Sequence, residues 1–470
     1  MTSTLSHVTC LMSLMIRTRI APSPTGYVHI GTARTALFNY LFAKKYHGEF
    51  LLRIENTDIE RSKKEYELDI LENLKWLDIN WDGEIVYQRE RSPIHRNYLE
   101  KLLDEGMAFY CHHSVEELAN EQKEQQFNKA ILKHNCDHKN KTVDGGVIRL
   151  KNTNKKVIFN DLIRGEISFD SELLGDIVLA KNLDAPLYNF AVVADDHDME
   201  ISHVIRGEDH LSNTPKQILI QEALGFERPG YAHVPLILGK DRSKLSKRHG
   251  GTSVTEYKNA GYLPQALVNF MALLGWHPAD KREIFGLEDL TKEFDLARVQ
   301  KAGAVFDAIK LDSINNYYIK RLVPAELAQY LKPYLRTHNP TEEQVIKIAH
   351  LFQDRLNKFS EIPELAAFIF NQPTYDPKRL LWKNTPPDKT KNNLETTLMI
   401  LEKLNGDSFD IDSTATEIMP LANRSGRGEM LWPLRVALTG LERSPGPFEI
   451  MEVLGRDESI NRITKAISKL

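Results

Sequence analysis

His29, Gly31 and Thr32 close the stretch Arg19–Thr32 (RIAPSPTGYVHIGT), whose residue types suit an anionic ligand. Histidine supplies an imidazole that can donate a proton, glycine lets an anion come close to the backbone, and threonine adds a hydroxyl. A second stretch, Lys240–Arg248 (KDRSKLSKR), gathers five basic side chains around one acid and runs on towards Gly250 and Gly251. A charge run is most often a solvated face. Here the Ser/Lys spacing and the glycine flank read as a mobile loop that folds over a triphosphate. A third set is Cys111, His113, Cys136 and His138. Two Cys-x-His pairs provide the two thiolates and two imidazoles that Zn²⁺ takes in a closed tetrahedral site. The alternative is two free thiols beside unrelated surface histidines, and His112 or His134 can replace a nominated ligand.

The elements around these residues must hold them. Thr18 to Ala21 reads as the end of a buried strand, and Pro22, Pro24 and Gly26 force an extended turn after it. From near Ala33 the apolar residues Ala33, Ala36, Leu37, Tyr40 and Leu41 recur at helical spacing. A helix entered this way offers unpaired backbone N–H groups and a positive dipole end, which favour a phosphate. Phe50–Ile54 (FLLRI) reads as a buried parallel strand ending in Glu55, Asn56, Thr57 and Asp58. Ligands bind at such carboxyl ends in open α/β sheets, although Thr57 and Asp58 serve equally well as caps for the next helix. Glu65–Leu77 and Tyr98–Leu103 are amphipathic helices. The Gln- and Lys-rich segment between the two cysteines reads as a helical hairpin, and Val147–Ala180 alternates like strands of one inserted sheet. Tyr188–Val193 is an apolar strand or short helix running into the acidic cluster Asp195–Asp198, read as a loop that orders the site in preference to a Mg²⁺ site. The strand Ile201–Ile205 then ends in Arg206-Gly207-Glu208-Asp209-His210.

At 470 residues the chain is too long for one core and suggests about three modules. Its 41% hydrophobic and 27% charged residues describe a soluble, globular chain. No apolar run reaches the roughly 20 residues of a membrane span. Three cysteines make a disulfide framework implausible and fit a reducing cytoplasm. A net charge of −4 excludes a uniformly basic surface, so any RNA must meet a local basic stripe. Met1–Leu14 carries no basic residue before its short apolar part, which argues against a presequence and for a disordered tail or a start codon placed too far upstream.

From Pro264 onwards the pattern is helical. Ala266–Leu274 and Phe306–Leu322 lead to a boundary at Val323-Pro324. Later helices include Thr341–Phe352, Asn392–Leu404 and a last one with Ile460, Ile463, Ile467 and Leu470 on one face. Arg424, Arg427 and Arg435 near Trp432 are either RNA contacts or ordinary surface and core.

The H-x-G-T turn and KLSKR together resemble the HIGH and KMSKS signatures of class I aminoacyl-tRNA synthetases. The sequence from about Thr18 to the C-terminus looks like a bacterial-type glutamyl-tRNA synthetase. The resemblance implies an α/β fold: a Rossmann-like parallel-sheet catalytic domain over 16–324, after an extension at 1–15. It carries an inserted α+β acceptor-end module at about 90–180 and a helical connective region at about 250–324. An all-α anticodon-binding region follows over 325–470, where glutaminyl synthetases carry β-barrels. The implied activity is ATP-dependent attachment of L-glutamate to the 3′ end of tRNA(Glu) through glutamyl-adenylate, by a cytoplasmic monomer with no membrane association. His29, Thr32 and Lys247 are the implied catalytic residues, and Gly31, Glu208 and Lys244 join them around ATP and its Mg²⁺. Arg19 and Arg206 fall to the side-chain carboxylate of glutamate, Glu55 to its ammonium group, and Ala21, Ser23, Tyr188 and His210 to the pocket wall. Zinc-holding relatives bind one structural Zn²⁺ in the inserted module, commonly through Cys-x-Cys, where His113 here replaces the second cysteine. Alternatives are an enzyme that also glutamylates tRNA(Gln), or another H-x-G-H-type nucleotidyl transferase.

Overall fold

The computed structural model describes residues 15–140, 145–246, 248, 250–406 and 409–470, so Lys247 and residues 1–14 lie outside the described residues. By internal contacts the chain forms two compact units. The first comprises Met1–Lys258 and Pro264–Ala308, the second Asn259–Leu263 and Ile309–Leu470.

In the first unit β1 (Arg17–Ile20) leads through the proline turn into α1 (Ile30–Lys45), which returns to β2 (Glu49–Ile54). The helix α2 (Lys64–Trp76) then leads to β3 (Val86–Tyr87), and β1, β2 and β3 pair in parallel. α1 buries Leu37, Phe38 and Leu41 completely, and burial of such side chains contributes about 1.5–3 kcal/mol each. It is apolar nearly all round because it lies between the sheet and the helices Pro264–Leu273 and Leu287–Glu293. Asn39 of α1 donates to the carbonyl of Ile205 at 2.9 Å, and Thr18 donates to the Asn39 carbonyl at 3.0 Å. The helix is thereby tied to two strands.

The chain continues through α3 (Ser92–Asp104) into β4 (Ala108–Cys111), α4 (Val115–Phe127), β5 (Val147–Leu150), β6 (Lys156–Asp161), β7 (Gly165–Asp170) and β8 (Val178–Ala180). The expected helical hairpin is a single helix, α4, opened by a Ser114/Glu117 capping box and followed by irregular chain. It buries no residue, because its polar sequence has no apolar stripe to pack a second helix against. The expected single inserted sheet is in fact divided. β4, β5 and β8 form an antiparallel sheet, whereas the β6–β7 hairpin joins the later parallel strand Gly230–Val234.

α5 (Tyr188–Asp198) corrects a second expectation: the apolar run and the acidic cluster form one helix, with no loop between them. Asp195 and Asp196 remain helical and buried because arginines neutralise both. Next come β9 (His203–Gly207), α6 (Thr214–Leu224), β10 (Gly230–Val234) and β11 (Ile237–Leu238), which pairs with β12 (Ala304–Val305). β9 and β10 run parallel, and the Ser202 amide donates to the Arg17 carbonyl at 2.9 Å, setting the start of β9 beside β1. β1 thus stands between β2, reached through α1, and β9, reached from much later in the chain. A crevice opens at the carboxyl ends of strands where the order reverses in this way.

The second unit is helical among its described residues, from Ala308–Ile319 and Pro324–Leu331 to Arg456–Ile467. The last helix buries Ser459, Arg462, Ile463 and Ala466, so the expected stripe is only half right: Ile463 is central, while Ile460 and Ile467 are half-buried. Arg462 is accommodated because it donates to the carbonyls of Phe368 and Leu438, at 2.7 and 2.6 Å, and to Glu458. Among the described residues no helix is long and apolar enough to cross a membrane.

Candidate active site

A cavity of about 720 Å³ opens at the crevice between the ends of β1 and β9. Of the residues nominated from sequence it gathers Arg19, Ala21, Ser23, His29, Gly31, Thr32, Glu55, Tyr188, Arg206, His210 and Lys244. Glu208 is not brought in. Its carboxylate accepts from the Leu236 amide at 2.7 Å and pairs with Arg164, so it braces the wall from behind.

His29 is the N-cap of α1, which begins at Ile30 and not near Ala33. Its Nδ1 accepts from the Gly31 amide at 3.0 Å, which leaves the ring proton on Nε2. A Cβ on residue 31 would lie 3.2 Å from that Nδ1, so glycine allows the imidazole to fold back on the helix end. Burial, and then the charge of Lys244, lowers the pKa of His29 and keeps it neutral. The expectation of free amides at this helix start fails. Ile30 N–H donates to the Thr252 carbonyl at 2.8 Å, Gly31 N–H to the imidazole, and Thr32 and Ala33 N–H to the His29 carbonyl. What remains for an anion is the dipole, the Nε2 proton, the Thr32 hydroxyl and the lysine loop.

That loop is fastened at both ends, at the first to β11 and beyond the second to His29. Lys244 bridges Leu238, and Leu245 N–H donates to the Ile237 carbonyl at 2.9 Å. Beyond the loop, Ser253 bridges His29 and Val254 N–H donates to the Val28 carbonyl at 2.9 Å. Lys244, Leu245, Ser246 and Thr252 all line the cavity, and Lys247 follows directly on Ser246. Lys244 Nζ lies 3.3 Å from Asp209, a cavity residue that sequence reasoning missed.

The two cavity arginines differ in kind. Arg19 is paired twice with Asp196, which also accepts from Arg53 at 2.7 Å. Burial alone would raise the Asp196 pKa, but Arg19 and Arg53 reverse this and hold the carboxyl below its usual range. Arg53 also donates to Glu55 at 3.1 Å, yet burial still pushes the Glu55 carboxyl up, so a nearby cation is welcome there. Among the described residues Arg206 has no carboxylate partner. Its Nε donates to His233 and its Nη2 to Thr214, and its Nη1 is buried without a partner among the described residues. Burial accordingly lowers its pKa. Beside it the Tyr188 hydroxyl and His210 Nδ1 are 3.0 Å apart, and burial pushes the Tyr188 phenol up to about 12. Such an arrangement suits a carboxylate at Arg206 and a cation at Glu55.

Outside the cavity, Cys111, His113, His134 and Cys136 bring one donor atom each within 4.8 Å of one another. Cys111 Sγ is 3.5 Å from His113 Nδ1 and 3.7 Å from His134 Nε2, and Cys136 Sγ is 3.5 Å from His113 Nδ1. Sulfur and nitrogen ligands around one tetrahedral Zn²⁺ are separated by about 3.6 Å, so the set fits that ion. In this grouping His134 stands where the sequence reading has His138, whose Nδ1 accepts from the His112 amide at 3.3 Å. His138 and Asp137 form a second grouping with His113 and Cys136 that lacks Cys111. Glu121 Oε2 is 2.6 Å from His134 Nδ1, which leaves Nε2 facing the sulfur. Gly175, at φ +62°, lets the sheet approach: a Cβ there would sit 2.6 Å from the His134 carbonyl. Burial pushes both thiols up, and the hydrogen bonds from His113 reverse this at Cys111, which ionises first.

Residues 15–313 match the family model described as "tRNA synthetases class I (E and Q), catalytic domain", and residues 326–467 match "Anticodon binding domain". Fold and site thus define a class I aminoacyl-tRNA synthetase. The chain is 42% identical to the glutamate–tRNA ligase of Carboxydothermus hydrogenoformans, covering 96% of this chain and 99% of that one. It is 41% identical to that of Dehalococcoides mccartyi, covering 98% of both. The crystal structure of a glutamate tRNA ligase from Elizabethkingia meningosepticum in complex with its amino acid superposes with a TM-score of 0.87 at 33% identity, covering 97% of this chain and 99% of that one. The chain belongs to the glutamate–tRNA ligase family.

Proposed function

We propose that the cavity activates L-glutamate with ATP and passes it to the 3′ end of tRNA(Glu). The observation that carries this reading is the buried, unpartnered Nη1 of Arg206 in a cavity whose other arginine already has its carboxylate. A γ-carboxylate supplies the missing charge. Glutamine would leave it missing, and penalties of that kind reach about 10⁴-fold. The α-carboxylate of glutamate attacks the α-phosphorus of ATP, which enters with Mg²⁺, and pyrophosphate leaves. The 2′-hydroxyl of the terminal adenosine then takes the acyl group and AMP is released.

No enzyme nucleophile is required, because the reaction depends on alignment and on neutralising charge as it develops. His29 Nε2–H, the Thr32 hydroxyl, Lys244 and Lys247 hold the phosphates, while Glu55 faces the ammonium group. Tyr188 and His210 form the wall beside the side chain. Cys111, His113, His134 and Cys136 would hold one Zn²⁺ that braces the inserted module and takes no part in the reaction. On the same reading the enzyme is a cytoplasmic monomer.

Charging assays with purified tRNA(Glu) and tRNA(Gln) test the proposal. ATP-dependent glutamylation of tRNA(Glu) is the expected result, and the tRNA(Gln) arm reports whether the enzyme discriminates. Absence of acylation of either tRNA would overturn it.

A further inference from the structure

Arg206 lies on β9, His233 opposite it on β10, and Asp161 at the end of β6, so three neighbouring strands carry the three side chains in a row. His233 is completely buried. Its Nδ1 lies 2.6 Å from Asp161 Oδ2, and its Nε2 receives the Arg206 Nε–H at 3.1 Å. An imidazole nitrogen that accepts carries no proton, so the proton of the neutral ring sits on Nδ1 and points at Asp161. Asp161 is itself fixed by the amides of Ile163, Arg164 and His233, at 3.0, 2.9 and 3.1 Å. The second acceptor on Arg206, Thr214 Oγ1, lies 2.8 Å from Nη2 and 3.0 Å from His233 Nε2.

Two edges of the Arg206 guanidinium are therefore held by neutral acceptors. The third nitrogen, Nη1, is buried without a hydrogen-bond partner among the described residues, in a side chain that lines the cavity. A carboxylate in place of His233 would neutralise the arginine and remove its demand for an anionic ligand. A ring carrying its proton on Nε2 would present a donor to a donor and displace it. We propose that Asp161 and His233 are positioning residues for amino-acid selection: by fixing the imidazole tautomer they hold Arg206 in place, charged and unneutralised, and so set the preference for a side-chain carboxylate over an amide. This rests on the reading of the cavity as a glutamate site.

The test compares full-length wild type, His233→Asn and His233→Gln in ATP–pyrophosphate exchange with tRNA(Glu) present, using glutamate and glutamine in turn. Asparagine retains a donor towards Asp161 but removes the acceptor from Arg206; glutamine puts an amide oxygen near the lost Nε2. Loss of a hydrogen bond to a charged group corresponds to about 10- to 100-fold. His233→Asn is expected to raise KM for glutamate by about that factor and to lower the glutamate-over-glutamine ratio by at least about tenfold, with KM for ATP changed less than about twofold. His233→Gln is expected to recover most of the ratio. Thr214→Val, which removes the other acceptor, is expected to move the ratio the same way and stands in should His233→Asn not fold. An unchanged ratio in a folded variant, or KM for ATP rising in step with KM for glutamate, overturns the inference. Wild type that shows no preference for glutamate instead removes the underlying reading, and that outcome is read before any variant.

Discussion

Asp196 holds Arg19 through two hydrogen bonds, Nε to Oδ1 at 3.0 Å and Nη2 to Oδ2 at 3.1 Å. The pair is buried, and Arg53 reaches the same carboxylate. Arg19 therefore supports the fold as well as the cavity, whereas Arg206 has no such partner among the described residues. The two substitutions are expected to separate in unliganded protein. Arg19→Gln leaves buried charge imperfectly paired and is expected to lower stability by about 1–3 kcal/mol. Arg206→Gln removes an uncompensated buried cation and is expected to leave the melting temperature unchanged or raised, while glutamate activation falls about 10²-fold or more. Thermal melting and pyrophosphate exchange on both variants check this.

Lys247 follows Ser246, a cavity residue, in the sequence, between Lys244, which bridges Leu238, and Ser253, which bridges His29. Lys247→Ala is expected to fold and melt as the wild type, yet to lose about 10²-fold or more in adenylate synthesis. Near-wild-type pyrophosphate exchange in the presence of tRNA would contradict the role.

The metal assignment separates two histidines. Elemental analysis is expected to find one Zn²⁺ per chain in the wild type and in His138→Ala, and to find it lost in His134→Ala and Cys136→Ser. Retention in His134→Ala with loss in His138→Ala would restore the set expected from sequence.

Acidification is expected to destabilise the catalytic unit. Burial lowers the pKa of His29, His203, His210 and His233 in the folded protein, whereas unfolded histidine titrates near 6.5. Below that pH the unfolded chain binds protons that the folded chain refuses. The contribution of these groups is therefore fully present above about 6.5 and lost as pH falls through the lowered values. Protonation of His29 also breaks the bond from the Gly31 amide. Melting curves between pH 7.5 and 5.5 are expected to show a falling midpoint, and an unchanged or rising one would contradict this.

The sequence disclosed the parts whose signal is local. The proline turn, the helix after it, the ends of the lysine loop and the Cys/His pairs each lie within a few neighbouring residues, so their signals are legible without knowledge of the fold. Partners distant along the chain were invisible. Asp196 stands 177 residues from Arg19, and Asp161 stands 72 from His233. Nothing near Asp195–Asp198 announced that arginines from three other elements would keep the acids inside a helix. For the same reason the turn at His29 read as a helix with free amides: the carbonyl that takes Ile30 N–H belongs to Thr252.

The central claim is that an uncompensated Arg206 makes this cavity select a carboxylate. ATP–pyrophosphate exchange by the wild-type enzyme with tRNA(Glu), measured with glutamate and with glutamine, tests it most directly. Exchange driven by glutamate and at least about 10³-fold weaker with glutamine is the expected result. Exchange with neither amino acid, or equal exchange with both, would contradict it.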